Sequence, residues 1–230
     1  MTAKNLLSRF TRPSASLLTE FVVIVLGVLA AFAVDEWKEA RELRQLRHFL
    51  ISALLEDLRD DAEDFTQFIE DQAQREAAAM LLVKTAEDLD RGSIQVAGLG
   101  EALYRIGRST LLEVADGTFQ EMTMHGTGPA ISDVELRLKI TRYYALARDR
   151  QDANAMVYSP IDRYRDALND QGLSYGDRDD GDAVEVLRNP RVLALIREIG
   201  MTAAKVQRYD DLLAGNEELV AKLERAKSSD

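Results

Sequence analysis

Cysteine is absent from the 230 residues, which removes disulfide frameworks, thiolate metal sites and Cys nucleophiles. The compartment stays open, because disulfide-free proteins occur on both sides of a membrane. Histidine is scarce: His48 and His125 leave little scope for imidazole chemistry. Only four prolines and 13 glycines punctuate the chain. With abundant Ala, Leu, Glu, Arg and Asp, this composition predicts an all-α fold. Clustered positive charge is missing too. The net charge is −11; residues 1–34 carry +2 and the remainder −13. An acidic body argues against nucleic acid as a partner, since phosphate binding needs grouped Lys and Arg. Its charge suits a helical surface kept in solution.

Long apolar runs are also rare, which makes "EFVVIVLGVLAAFAVDEW", Glu20 to Trp37, stand out. Phe21 to Val34 is 14 residues without a polar side chain, too short alone to cross a bilayer. Extended back to Pro13 it becomes 22 residues with Glu20 as its only ionisable group. As a helix that is about 33 Å, enough for a hydrocarbon core of roughly 30 Å. Two other readings compete. A secretion signal would be cut after the small-x-small Ala31-Phe32-Ala33, but Glu20 interrupts its approach and helical patterning runs on through "DEWKEARELRQLRHFL". A buried helix of a soluble protein would need apolar bulk around it that the chain hardly offers. A membrane span over 13–37 is therefore expected. A short basic segment, 1–12, precedes it, and an acidic extramembrane domain, 38–230, follows.

Trp37 falls where aromatic residues favour the headgroup region, with Lys38 and Arg41 just beyond. Glu20, Ile24, Gly27, Ala31 and Lys38 lie within about 40° of Glu20 on a helical wheel. Gly27-x-x-x-Ala31 is a small-xxx-small pair that lets a second helix backbone approach in lipid. Glu20 either hydrogen-bonds a partner helix or reaches up among headgroups; a carboxylate inside lipid is costly. Basic residues flank both ends of the run: Lys4, Arg9 and Arg12 before it, and Lys38, Arg41, Arg44 and Arg47 after. The expected topology is an N-terminus in the cytoplasm and a translocated body, periplasmic if the membrane is a bacterial inner membrane.

Glu20, Gly27, Ala31, Asp35 and Trp37 form the pattern E-x6-G-x3-A-x3-D-x-W. It resembles the opening helix of a family of bacterial single-pass membrane proteins of unknown function. A second stretch, "TFQEMTMHGTGPAISDVELRLKITRYY", is similar to the same family through Phe119 to Met124, Gly126, Leu136-Arg137 and Tyr143-Tyr144. Gly128-Pro129 departs from its simpler turn. The resemblance touches roughly residues 18–60 and 117–145 and implies topology only, since that family carries no established activity.

From Asp35 to Leu89 no Pro or Gly appears. Ile51, Leu55, Leu58, Ala62, Phe65 and Ile69 recur at helical spacing, so the first helix is expected to continue as one long helix until "DRGS" at Asp90 to Ser93. "GLGEALYRIG" predicts a short helix; it follows no strand and is no dinucleotide fingerprint. "MHGTGP" reads as a turn, for no Gly-x-Ser-x-Gly elbow exists to give it an oxyanion role. Ser132-Asp-Val-Glu135 reads as a capping box opening a helix towards Tyr158, with Pro160 starting or kinking the next. Tyr143, Tyr144, Tyr158 and Tyr164 read first as packing residues and second as a ligand platform. "YGDRDDGDAVE" fails as a calcium loop: counted from Asp177, Gly181 sits one place early and Arg188 stands where Glu is needed.

Asn189-Pro190 is a cap followed by a first-turn proline. Beyond it Val192, Ile199, Val206, Leu213 and Val220 recur every seven residues. Leu195, Thr202, Tyr209, Asn216 and Leu223 sit three further on. This heptad seam carries Asn216 as a polar residue able to set register. It is expected to bury against residues 43–69 or against another chain, giving an elongated helical bundle or coiled coil.

No spacing points to a catalytic site, a cofactor or a metal. The expected function is non-enzymatic: a membrane-anchored helical protein acting through contacts, as an accessory subunit of a larger membrane complex or a self-associating scaffold. The alternative is an extracytoplasmic sensor with a tyrosine-lined pocket; only a short segment precedes the span to carry a signal inward. A paired-carboxylate hydrolase ranks third, because Asp and Glu on acidic helices are usually solvated.

Overall fold

The missing helix breakers are realised directly. A computed structural model describes residues 14–92, 97–155, 158–174, 176, 178–203 and 209–228, the side chains of 14–18 and Tyr158 excepted. Among these residues the chain is helical, with no strand. The helices are α1 (Ser14–Asp90), α2 (Leu99–Gly107), α3 (Gly117–Met124), α4 (Val134–Ala155), α5 (Tyr158–Asn169), α6 (Asp180–Leu187), α7 (Pro190–Ala203) and α8 (Asp210–Ser228). A 3-10 turn, Gly128–Ala130, separates α3 from α4. The chain divides into two units, Met1–Phe49 and Leu50–Asp230.

In the first unit, every described side chain from Thr19 to Gln45 is exposed. The large apolar residues between Phe21 and Val34 are 37% to 65% exposed, on all sides of the helix. Among the described residues no helix is long and apolar enough to cross a membrane. The 14-residue run is closed by Glu20 on one side and Asp35-Glu36 on the other. Its extension to Pro13 rests on residues whose side chains lie outside those described, as do Lys4, Arg9 and Arg12.

In the second unit, α1 presents a buried stripe of Ile51, Leu54, Leu58, Asp61, Phe65, Phe68, Gln72, Arg75, Ala79, Leu82 and Ala86. Steps of three and four make this a heptad seam. It corrects the expected one at two places, because Asp61 and Phe68 are buried whereas Ala62 and Ile69 are only half-buried. Asp61 and Arg75 occupy seam positions that an apolar count skips over.

The remaining helices cover this stripe in two parts. Ala78, Ala79, Leu82 and Ala86 join a core with α2, α5, α6 and α7, centred on Leu99, Ile106, Ile161, Tyr164, Val186, Val192, Ile196 and Ile199. Burying each large aliphatic side chain contributes about 2 kcal/mol. A Cβ on Gly200 of α7 would lie 2.6 Å from the Ala79 Cβ, so glycine sets how closely α7 approaches α1. The earlier part of the stripe meets α4 and α8, with Phe68 edge-on to Tyr209 at 4.9 Å between ring centres.

The C-terminal heptad is interrupted. α7 ends at Ala203 and α8 starts at Asp210, and Val206 lies outside the described residues. Val192, Leu195 and Ile199 are buried as expected. In α8 the buried positions are Leu212, Asn216, Leu219 and Leu223, while Leu213 and Val220 are half-buried. One of the two heptad positions has slipped by one residue. Separate helices need not keep a common phase, and both pack within the chain, α7 on α5 and α8 on α4.

Local signals place the helix ends. Asn189 Oδ1 accepts from the Arg191 and Val192 amides at the start of α7, as expected. The α4 cap is Asp133 and not Ser132: its Oδ1 accepts from the Glu135 amide at 2.9 Å and the Leu136 amide at 3.1 Å. α1 ends in the Arg91-Gly92 turn, where Gly92 has φ of 79°. The acidic loop before α6 serves as caps. Asp179 accepts from the Gly181 amide, and Asp180 accepts from the Gly98 and Gly100 amides at 3.0 and 2.8 Å, joining α6 to the start of α2. Asp177 lies outside the described residues.

Candidate functional site

Between α2 and α3 the chain runs without helix from Arg108 to Asp116. Backbone amides and carbonyls in such a segment need partners once buried. Polar side chains of α1 bond to this segment and to the start of α3. Arg75 donates to the Arg108 carbonyl at 2.6 Å. The Thr110 hydroxyl donates to Asp71 at 2.7 Å, and the Ala115 amide donates to Asp61 Oδ1 at 2.7 Å. The Thr118 amide, just inside α3, donates to Asp57 at 3.0 Å. Numbers fall along α1 as they rise along the strap, so the two run antiparallel. From α4, Asn154 accepts from the Leu112 amide at 3.2 Å. Gln72 accepts from Arg75 at 2.6 Å and holds the guanidinium in place.

Asp61 is the centre of this arrangement. It is 1% exposed. Its Oδ1 takes the Ala115 amide and its Oδ2 takes the Tyr143 hydroxyl of α4 at 2.6 Å. Asn216 of α8 donates to the Tyr143 oxygen at 3.1 Å and to the Leu58 carbonyl at 2.7 Å. One carboxylate thereby ties α1, the strap, α4 and α8 together. Burial pushes its pKa up to about 6, and Asp57 and Asp64 on the same helix add repulsion; the Tyr143 and Ala115 hydrogen bonds pull the other way and do not offset burial. Burial, and then the Asp61 charge, raise the Tyr143 phenol. No Lys or Arg among the described residues ion-pairs with Asp61.

Tyr144, next to Tyr143, is fully buried and its hydroxyl has no hydrogen-bond partner among the described residues. Its ring stacks on Phe119 at 4.7 Å. Asp116 is ion-paired to Arg148, whose guanidinium lies over Phe119 at 5.6 Å. Tyr164 is also buried and donates to the Leu103 carbonyl at 3.0 Å. Tyr143, Tyr144 and Tyr164 are core residues, which is the packing reading. A groove of about 270 Å³ between α4 and α8, bordered by Lys139, Arg142, Gly215 and Glu218, opens onto the Tyr143 ring.

Of the residues singled out in the sequence, Asn216 belongs to this site, as the polar seam position it was read to be. Its bonds are within the chain. Glu20, Ile24, Gly27, Ala31 and Trp37 are elsewhere, in the first unit, and all are exposed. A Cβ on Gly27 would meet nothing within 4 Å. The Arg41 guanidinium lies 5.7 Å from the Trp37 ring centre. Asp61, Asp71, Gln72 and Arg75 were missed. Extending the Ile51–Leu58–Phe65 and Leu54–Phe68 spacings without regard to polarity would have found three of them. Among the described residues no cluster of three His, Asp or Glu is arranged to hold a metal ion. The site's chemistry is hydrogen bonding and proton exchange at one carboxyl. No protein-family model, curated protein or solved structure matches the chain.

Proposed function

We propose that this chain is a non-enzymatic, single-pass membrane-anchored helical protein that works through protein–protein contacts, as an accessory subunit of a larger membrane complex or as a self-associating scaffold. One observation carries the reading: the helical residues Phe21 to Val34 are apolar on every side and exposed. A helix apolar all round has to be covered by lipid or by other protein. Run back to Pro13, the stretch reaches the roughly 20 residues that a bilayer requires. Trp37 and Arg41 then sit at one boundary and Glu20 about two turns inside the other, with Gly27 and Ala31 open to a neighbouring helix. The resemblance to bacterial single-pass proteins points the same way, with the N-terminus in the cytoplasm and the acidic body in the periplasm. The second unit uses its polar residues for internal bonding, which suits a rigid contact body.

Native mass spectrometry of the full chain extracted in mild detergent tests this. A stable complex with other membrane subunits, or a homo-oligomer, is expected, and Gly27→Leu should reduce it several-fold while leaving helicity unchanged. A lone monomer from both wild type and variant would overturn the reading.

A further inference from the structure

Three helices and the strap converge on a carboxyl group that is buried and, among the described residues, ion-paired to no cation. On α1 its neighbours are Asp57 and Asp64, both acidic. From the strap come the Ala115 amide and Asp116, the latter already neutralised by Arg148 of α4. From α4 come Tyr143 and Tyr144, and from α8 the neutral Asn216. Among the described residues, the groups that hydrogen-bond Asp61 are the neutral Ala115 amide and Tyr143 hydroxyl. Such donors stabilise a carboxylate, yet they bring no charge to compensate its transfer out of water.

We infer that protonation of Asp61 is a switch that sets how firmly α8 and α4 are held on α1. The proton transfer is simple to balance. Ionised Asp61 accepts from the Tyr143 hydroxyl, and that hydroxyl accepts from Asn216. A proton taken from solvent onto Asp61 Oδ2 makes the carboxyl a donor, and Tyr143 becomes its acceptor. A phenol oxygen can accept twice, from Asp61 and from Asn216, while its own hydrogen turns away. The groove between α4 and α8 lies over the Tyr143 ring, and Gly215 on its border contributes no side chain to fill it. The Ala115 amide keeps Oδ1, so the strap stays attached in both states. What changes is the buried charge at the α1–α4–α8 junction, and with it the cost of keeping the junction closed.

The switch runs in a definite direction. Asp61 titrates near 6 in the folded chain against an ordinary value of 3.8. The folded state therefore binds this proton more tightly than an opened one, and acid closes the junction. Between pH 7 and pH 5 the closed-to-open ratio for α8 should rise about tenfold. This inference stands whether or not the first unit enters a membrane.

Hydrogen exchange of the full chain in non-ionic detergent, corrected for the intrinsic pH dependence of amide exchange, reads the ratio directly. Protection of the α8 amides should be about tenfold greater at pH 5 than at pH 7, and Asp61→Asn should abolish that difference. The side-chain carboxyl carbon of Asp61, followed by NMR, should titrate near 6. Tyr143→Phe removes a bond that favours the carboxylate, so in that variant the midpoint should move upward. Should Asp61→Asn fail to fold, wild type and Tyr143→Phe still decide. An Asp61 midpoint below about 4.5, no upward shift in Tyr143→Phe, or a pH dependence unchanged in Asp61→Asn would each overturn the switch.

Discussion

Tyr143 and Asp61 are 82 positions apart in sequence and share a hydrogen bond of 2.6 Å inside the core. Asn216, 73 positions beyond Tyr143, donates to the same phenol oxygen. Three distant helices thus depend on one polar junction, and removing a member leaves the others underbonded. Asn216→Ala is expected to cost about 2 kcal/mol in urea denaturation. The double variant Asn216→Ala, Tyr143→Phe should lose clearly less than the sum of the single losses, since both act on one bond. Strict additivity would show that Asn216 works through Leu58 alone.

Gly100 predicts a second, independent sensitivity. A Cβ there would fall 2.2 Å from the Arg178 carbonyl oxygen, a backbone atom that cannot move aside cheaply. The same contact brings Asp180 onto the Gly98 and Gly100 amides. Gly100→Ala should cost about 3 kcal/mol by overpacking. Gly117→Ala, where a Cβ meets open space, is the control and should be close to neutral. Thermal or urea unfolding of the two variants side by side measures the difference.

Two pH windows of opposite sign follow from the titrating groups. Asp61 is raised, so its contribution is fully present below 3.8 and is lost as pH climbs through about 6. Asp180 and Glu218 are lowered, Asp180 by the Gly100 and Gly98 amides and Glu218 by Lys139. Their contributions are present above their ordinary values and disappear as pH falls through the lowered ones. Denaturation midpoints should therefore rise from pH 7.5 towards pH 5 and drop again in stronger acid. Asp61→Asn should remove the first limb and keep the second.

How legible this was in the sequence depended on whether a residue acts locally. Asn189-Pro190 opened α7 as read, and the Arg91-Gly92 turn closed α1, because caps and turns are decided within a few residues. Asp133 stands beside Ser132, both residue types can cap, and the structure uses the aspartate. The seam of α1 was found where it is apolar and lost where it passes through Asp61, Gln72 and Arg75. Asp61 and Arg75 bond the 108–116 strap and Gln72 holds Arg75, and nothing within α1 announces that strap. The phase slip between α7 and α8 was hidden for a similar reason: Leu212 and Leu213, and Leu219 and Val220, are adjacent apolar pairs, and tertiary packing chooses between them. Asn216 was legible because a lone amide inside an apolar heptad is conspicuous.

The apolar segment at Phe21 to Val34 bears the account of function, and its seating in lipid is directly measurable. Membranes from cells producing the full chain are washed in alkaline carbonate and the pellet is compared with the supernatant, with the N-terminus of the recovered protein determined. The account predicts that the protein stays in the pellet with residues 13–37 intact, and that replacing Val23 and Leu26 with lysine releases it. A wild-type chain that leaves with the supernatant, or that begins at Val34, would contradict it.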